Sequence, residues 1–180
     1  MGKDTLIQKL RDLEPQLVYS VSYTTRAKRD YERNDVHYTF VTPKKFQELV
    51  GSGELLEHAE VNGHLYGTSK SRVEEAQRRG RDVILKIDVR GAEQVREKRP
   101  DGVFVFLAPP SLEELMRRRK QRGSESPQEM EQRQRLAQWE LGHAQYYDYV
   151  VVNDDIDRAA RDVLQIVDQE RERRARGRVS

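Results

Sequence analysis

No cysteine occurs in the 180 residues. Disulfides and thiolate metal sites are thereby excluded, and the composition suits a reducing compartment. Aromatics are scarce, 7% with one tryptophan; Trp139 and the Tyr146–Tyr149 cluster read as core and helix-end packing. An excess of one charge is also lacking. Lys and Arg number 33 against 31 Asp and Glu, a net charge of +2. Bulk electrostatics therefore give no argument for a nucleic-acid partner. No apolar run reaches membrane-spanning length. The start has no apolar stretch of the secretory kind, and Leu6 stands where a myristoylation signal wants Ser or Thr. These observations predict a soluble, cytoplasmic protein with no membrane partner. The four histidines, His37, His58, His64 and His143, show no metal-ligand spacing and read as surface or packing residues.

Hydrophobic residues make up 36%, enough for the core of a single domain. Leu6, Ile7, Leu10 and Leu13 recur at helical spacing over 4–13. "LVYSVS" (17–22) reads as a strand, and "VHYTFV" (36–41) as an antiparallel one. "TPKKFQELVGSG" reads as a short helix with Pro43 in its first turn. Asn62-Gly63 signals a hairpin within 55–69. Beyond residue 80 the pattern changes. "DVILKIDV", "GVFVFLA" and "DYVVVND" are near-continuous apolar runs, as in strands buried on both faces of a parallel sheet. Helical segments at 69–79, 90–98, 111–121, 126–145 and about 156–173 separate and follow them, which predicts an α/β fold. The Arg-rich end "RERRARGRVS" reads as a solvated helix end.

Three groups of residues carry chemistry. Gly2-Lys3-Asp4-Thr5 at a helix start resembles the second half of a phosphate loop, where backbone N–H groups and a lysine hold phosphates and a hydroxyl holds Mg²⁺. Alone the fragment is weak. "SVSYTTRAKR" places Arg26 and Arg29 after a strand, and guanidinium forks match phosphate oxygens; a solvated basic loop is the alternative. Tyr38, Glu57 and "YGTS" (66–69) follow. A carboxylate can accept both N–H groups of a guanine edge, whereas adenine N1 is an acceptor. Tyr38 as strand packing and Glu57 as a surface acid remain open on these residues alone.

In this order and spacing, "SVSYTTRAKR", "VHYTFV", "GELLEHAEVNGHLYGTS", "DVILKIDVRGA", "FLAPPSLEELMRRRKQRGSES" and "YDYVVVNDD" resemble the guanylate kinase family over nearly the whole chain. The resemblance implies a three-layer α/β P-loop NTPase fold of the nucleoside monophosphate kinase kind. Its core would comprise about 1–22, 80–116 and 136–180, with a β-rich GMP-binding insert at about 23–79 and a helical lid at about 117–135. Residues 82–88 and 102–107 would be parallel neighbours in one sheet. It implies transfer of the ATP γ-phosphate to GMP with Mg²⁺. Arg26, Arg29, Tyr38 and Tyr66 would hold the GMP phosphate, and Ser22, Glu57 and Thr68 would read guanine. Gly2, Lys3, Asp4, Thr5 and Asn153 would bind ATP, with Thr5 on the metal. Lys3, Arg118, Arg122 and Arg133 would act on the reacting phosphates, and Asp88 would lie near them. Lys86 stands where many members carry a carboxylate, Arg90 replaces a frequent Gln, and His58 a frequent Trp. Two other readings are a non-catalytic scaffold module and a phosphorylated-sugar kinase; Glu57 and "YGTS" argue against the latter.

The phosphate-loop pattern also wants a glycine five residues before Gly2, and a strand before that. The expectation is that Met1 lies inside the loop and that roughly 10–15 upstream residues, including a strand of about 5–6, complete it. Expression of the 180-residue chain and an extended form, each assayed for GDP formation from ATP, GMP and Mg²⁺, tests this. Little activity in the shorter form, regained on extension, is expected; full activity in the shorter form contradicts it.

Overall fold

The computed structural model describes residues 2–120 and 127–177; side chains at 118–120, 127–130, 132 and 133 lie outside that description. In chain order the elements begin with α1 (Lys3–Leu13), β1 (Val18–Tyr19), β2 (Tyr23–Thr24), β3 (Thr39–Phe40) and α2 (Pro43–Gly51). Next come β4 (Leu55–Val61), β5 (His64–Ser69), α3 (Lys70–Arg78), β6 (Val83–Ile84) and α4 (Val89–Lys98). The last are β7 (Val105–Ala108), α5 (Leu112–Lys120), α6 (Pro127–Gly142), a 3-10 turn (His143–Tyr146), β8 (Tyr149–Val152) and α7 (Ile156–Gly177). Contacts divide the chain into two compact units: Met1–Leu13 with Val103–Ser180, and Glu14–Gly102.

The unit of residues 14–102 holds a four-stranded sheet in the order β3-β2-β5-β4. The hairpin β4–β5 forms as its sequence predicts: Asn62 and Gly63 take φ of 51° and 75°, the paired positive values that a tight two-residue turn requires. α2 also starts where expected. Thr42 Oγ1 accepts from the Lys45 N–H at 3.2 Å, and Pro43 occupies the first turn, where no amide donor is needed. Phe46 on α2 is fully buried and packs edge-on against His58 of β4. Gly67 of β5 makes room for it: a Cβ there would sit 3.1 Å from the Phe46 ring and 2.9 Å from Leu55. The same unit contains a parallel pair, with Val18 opposite Val83 and Tyr19 opposite Ile84.

In the other unit β7 and β8 run parallel, from Val105 opposite Tyr149 to Ala108 opposite Val152. Asp148 prepares the pairing by accepting from the Phe104 N–H at 2.7 Å. Leu6 and Leu10 of α1 are buried, as are Ala159 and Ala160 of α7, and these small alanines let the two helices pack closely. Lys9 bridges to Asp157 at 2.5 Å across the same seam. α7 runs on to Gly177, its basic end answered by ion pairs along its own surface such as Arg173–Glu170 and Arg176–Glu172. Among the described residues no helix is long and apolar enough to cross a membrane.

Four expectations are corrected. β3 pairs with β2 in parallel, not antiparallel, because the chain leaves β2 through the long 25–38 connection before pairing. β6 pairs with β1 and β7 with β8, so 82–88 and 102–107 are not neighbours in one sheet; an apolar run signals burial but carries no address for its partner. β8 is not covered on both faces, since Val150 and Val152 are 53% and 43% exposed. Trp139 is no core residue: it is 40% exposed and packs at a tilt against His143 at the helix end, ring centres 4.1 Å apart.

Truncating Phe46 to Ala should lower unfolding free energy by about 3–5 kcal/mol, the usual cost of an aromatic lost from a packed site. Urea unfolding checks this, with the denaturant slope unchanged. A loss under about 1 kcal/mol would show that the α2–β4 contact is not a core contact.

Candidate functional site

Glu57 is the most unusual side chain of residues 14–102: a carboxylate only 4% exposed. A local irregularity puts it there. Leu55 faces Ser69 and Glu57 faces Thr68, so β4 advances two residues while β5 advances one. Such a bulge re-aims side chains, and Leu55, Leu56 and Glu57 are consecutively buried instead of alternating. Cross-strand pairing then sets Thr68 Oγ1 to donate to Glu57 Oε1 at 2.6 Å.

α4 covers the outer edge of β4 beside this carboxylate. Gln94 brackets the His58 backbone, its Oε1 accepting from the amide at 3.1 Å and its Nε2 donating to the carbonyl at 2.7 Å. Lys98 Nζ donates to the Leu56 carbonyl at 2.6 Å. The edge of β4 is thereby satisfied on either side of Glu57. Asp88 caps α4, one carboxylate oxygen accepting from the Gly91 N–H at 2.8 Å. Gly91 is required by distance: a Cβ there would lie 2.6 Å from Glu57 Oε2.

Burial is the main cause that pushes the Glu57 carboxyl up to about 7, and the Asp88 carboxylate adds to it; the Thr68 hydroxyl and Lys98 pull the other way. The folded protein therefore holds this proton more tightly than the unfolded chain. The resulting stabilisation is full below the ordinary carboxylate value of about 4.3 and is lost as pH rises through about 7.

A second cluster lies on β2, β3, β5 and the 25–38 connection. Arg26 forks onto the buried Glu32, with Nη2–Oε1 at 2.6 Å and Nη1–Oε2 at 3.0 Å. The Arg26 guanidinium lies 5.5 Å above the Tyr38 ring and 5.7 Å above Phe40. Tyr66 packs edge-on against Tyr38 at 5.8 Å. Glu32 also accepts from the Arg29 amide at 2.8 Å, while the exposed Arg29 side chain donates to Tyr31 at 2.8 Å. Arg26, first through its hydrogen bonds, holds Glu32 below the ordinary carboxylate range. Ser22, Thr24 and Thr68 are buried hydroxyls of the same sheet region.

In the other unit Gly2, at φ 101°, immediately precedes α1. It backs onto the buried Asn153, where a Cβ would meet Nδ2 at 2.6 Å. Asn153 follows β8 and donates its amide to the Ala108 carbonyl at 2.8 Å. Lys3, Asp4 and Thr5 are exposed on the first turn of α1. A helix N-terminus carries partial positive charge and suits anions. Arg118, Arg122 and Arg133 have side chains outside the described residues.

Within residues 14–102, then, Glu57, Thr68 and Asp88 come together, as do Arg26, Tyr38 and Tyr66; Gly2 and Asn153 meet in the other unit. Sequence reasoning missed Glu32, Gly91 and Gln94. Gly91 had a signal, because glycine inside a helical segment costs about 1 kcal/mol and so implies a close approach. Glu32 had none, sitting in a charged run that reads as solvated.

The parallel α/β units, the Gly-Lys helix start and the buried Glu57 carboxylate define a class, the P-loop nucleoside monophosphate kinases. Comparison narrows it. The family profile described as guanylate kinase matches residues 1–170. The guanylate kinase of Carboxydothermus hydrogenoformans is 42% identical over 170 residues, 94% of this chain and 83% of that protein. A guanylate kinase of Thermus thermophilus is 46% identical over 176 residues, 98% of this chain and 80% of that one. The crystal structure of guanylate kinase from Anaplasma phagocytophilum superposes with a TM-score of 0.79 at 36% identity, covering 93% of this chain and 81% of that one. The chain belongs to the guanylate kinase family.

Were Glu57 the acceptor for a guanine edge, its titration would govern how such a ligand binds. Guanine N–H donors need the carboxylate, so a proton competes with the ligand. Guanosine affinity should be flat above about pH 7 and fall about tenfold per pH unit below it. Guanosine rather than GMP keeps the phosphate titration out of the measurement. Calorimetry from pH 5 to 8.5 on the parent and Glu57→Gln checks this; a flat parent profile would contradict it.

Proposed function

We propose that Glu57, Thr68 and Ser22 read the guanine of GMP, and that Arg26, Arg29, Tyr38 and Tyr66 hold its phosphate, in a guanylate kinase that transfers the ATP γ-phosphate to GMP and yields ADP and GDP. The observation that carries the reading is a buried carboxylate already bonded on one oxygen to Thr68. Guanine offers N1–H and the 2-amino group side by side, a pair of donors matched to a carboxylate. Adenine offers an acceptor at N1, which finds no donor on the ionised carboxylate. Base choice is thus set by the cost of the wrong ligand as much as by the gain from the right one.

Phosphoryl transfer asks little covalent chemistry of the protein; it asks for positioning and for charge compensation on the phosphates. Arg26 is positioned by Glu32, the Tyr38 ring lies against its guanidinium, and Tyr66 packs against Tyr38. Asp88 steadies the α4 end of the site through its cap. On the ATP side we assign Gly2, Lys3, Asp4, Thr5 and Asn153 to the nucleotide, and Lys3 with Arg118, Arg122 and Arg133 to the transferring charge. Mg²⁺ fits this donor set. Among the described residues no group of three or more His, Asp or Glu could cage a metal, and Mg²⁺ in kinases takes most of its ligands from phosphates and water. Thr5, exposed at the start of α1, is the hydroxyl that would hold it. When bound, the ion supplies electrostatic relief to the phosphate oxygens. No covalent phosphoenzyme is needed. Both substrates are cytoplasmic metabolites, and there we place the reaction.

Two substitutions separate the base and phosphate roles. Glu57→Ala should weaken GMP by one to two charge-assisted hydrogen bonds of about 1.5–3 kcal/mol each while ATP affinity holds. Arg26→Ala should cut turnover with GMP and leave guanosine affinity nearly unchanged. Equal losses for GMP and ATP in the first variant, or unchanged turnover in the second, would overturn the corresponding assignment.

A further inference from the structure

Arg72 lies in the first turn of α3, on a base that is already fixed. Ser69, fully buried at the end of β5, caps the helix by accepting from the Arg72 amide at 3.2 Å. The same hydroxyl donates to Glu54 Oε1 at 2.8 Å. From this base the Arg72 guanidinium reaches away from its own helix. It donates to the Val21 carbonyl, between β1 and β2, at 3.3 Å and to Thr39 Oγ1 of β3 at 2.8 Å. It lies 4.9 Å from the centre of the Tyr23 ring on β2 and 3.6 Å from Asp35 Oδ1.

Thr39 and Asp35 join into one unit. The Thr39 hydroxyl accepts from Arg72 and gives its own proton to Asp35 Oδ1 at 2.6 Å. The Asp35 amide donates to the Tyr38 carbonyl at 2.8 Å. Tyr38 is thus held from both sides, by Asp35 at its carbonyl and by Thr39 next in the chain. Asp35 takes φ 58°, a left-handed conformation that non-glycine residues adopt rarely and keep only where neighbours impose it. The backbone of Thr39 is held by the Ser22 carbonyl at 2.9 Å, and its side chain by Arg72. The Arg72–Asp35 ion pair is long and its side chains are 39% and 59% exposed, so it contributes little energy. The donation to Thr39 is shorter and directional, and it ties the end of the 25–38 connection to α3.

We propose that Arg72 is a positioning residue of the GMP site, which through Thr39 and Asp35 fixes the turn that presents Tyr38 to the acceptor phosphate. The proposal rests on the reading of Arg26 and Tyr38 as the phosphate cradle. The Tyr38 ring meets the Arg26 guanidinium at 5.5 Å and the Tyr66 ring at 5.8 Å, so a shift of the turn moves the phenol relative to both. Contacts to a phosphate depend on such placement. The guanidinium's hydrogen bonds go to β3 and the β1–β2 link, not to Glu57 or Thr68, which are assigned to the base. Arg72 therefore bears on the preference for nucleotide over nucleoside. An arginine that only stabilises the fold would not bear on it.

Calorimetric titration of GMP and of guanosine into the parent, Arg72→Met, Thr39→Val, the double variant and Tyr38→Phe tests this. Binding is read instead of turnover, so the ATP side does not enter. Arg72→Met should weaken GMP about three- to tenfold, the size of one part-exposed hydrogen bond, and leave guanosine within about twofold. Thr39→Val should do the same. Both substitutions break one chain of contacts, so the double variant should lose no more than about twofold beyond the worse single one. Retained guanosine affinity also reports that the variants are folded around the base. GMP affinity retained in Arg72→Met, GMP and guanosine lost in parallel, or losses that multiply in the double variant overturn the proposal. Tyr38→Phe tests the underlying reading separately. An unchanged GMP-to-guanosine ratio there means that Tyr38 does not hold the phosphate, whereas a ratio that falls there but not in Arg72→Met removes Arg72 alone.

Discussion

Taking a carboxylate out of water costs several kcal/mol unless something in the protein answers it. Glu57 is left partly unanswered, and the surrounding residues are arranged to tolerate that. The bulge in β4 turns it inward, Thr68 gives it one short hydrogen bond, and Gln94 and Lys98 hold the backbone on either side. Gly91 brings the start of α4 against its second oxygen. Asp88 adds a neighbouring negative charge that keeps the proton on. The result is an acid poised near neutrality, able to ionise when a ligand offers two N–H donors. Guanine does so.

Glu32 is buried to the same degree and has the opposite fate. Arg26 sits on it with a bidentate fork, and the pair keeps it ionised below the usual range. Such a buried pair contributes little to net stability, because desolvation consumes most of the attraction. Its value is geometric: Glu32 fixes the Arg26 head over Tyr38 and ties down the Arg29 amide, closing the connection between β2 and β3. Two carboxylates in one unit thus part, one pushed up and one held down, by environment alone. This separation of neighbouring acids by environment is what distinguishes functional carboxylates from a charged surface.

Much of this was legible in the sequence, and what was not shares a cause. Helix and hairpin signals are local, so Thr42-Pro43 and Asn62-Gly63 predicted α2 and the β4–β5 turn at the residue. Glu57 was singled out for its chemistry, since a carboxylate can accept both N–H groups of a guanine edge. Strand neighbours are not local. The parallel β2–β3 pairing and the separate partners of β6 and β7 depend on contacts between distant segments that periodicity does not encode. Buried polar partners are equally hidden: Glu32 lies in a run of charges, and Gln94 reads as one more polar residue on a helix. The exposed faces of Val150 and Val152 show the converse, apolar residues whose pattern promised more burial than they receive.

The poised carboxyl can be observed directly. Carbon-13 NMR of the Glu57 side-chain carboxyl, followed against pH with and without saturating guanosine, reports its protonation without reference to activity. A midpoint near 7 in the ligand-free protein is predicted. With guanosine bound, the carboxyl should stay ionised down to the ordinary carboxylate range of about 4.3 or below. A ligand-free midpoint already at that ordinary value, or one that guanosine does not move, would contradict the account.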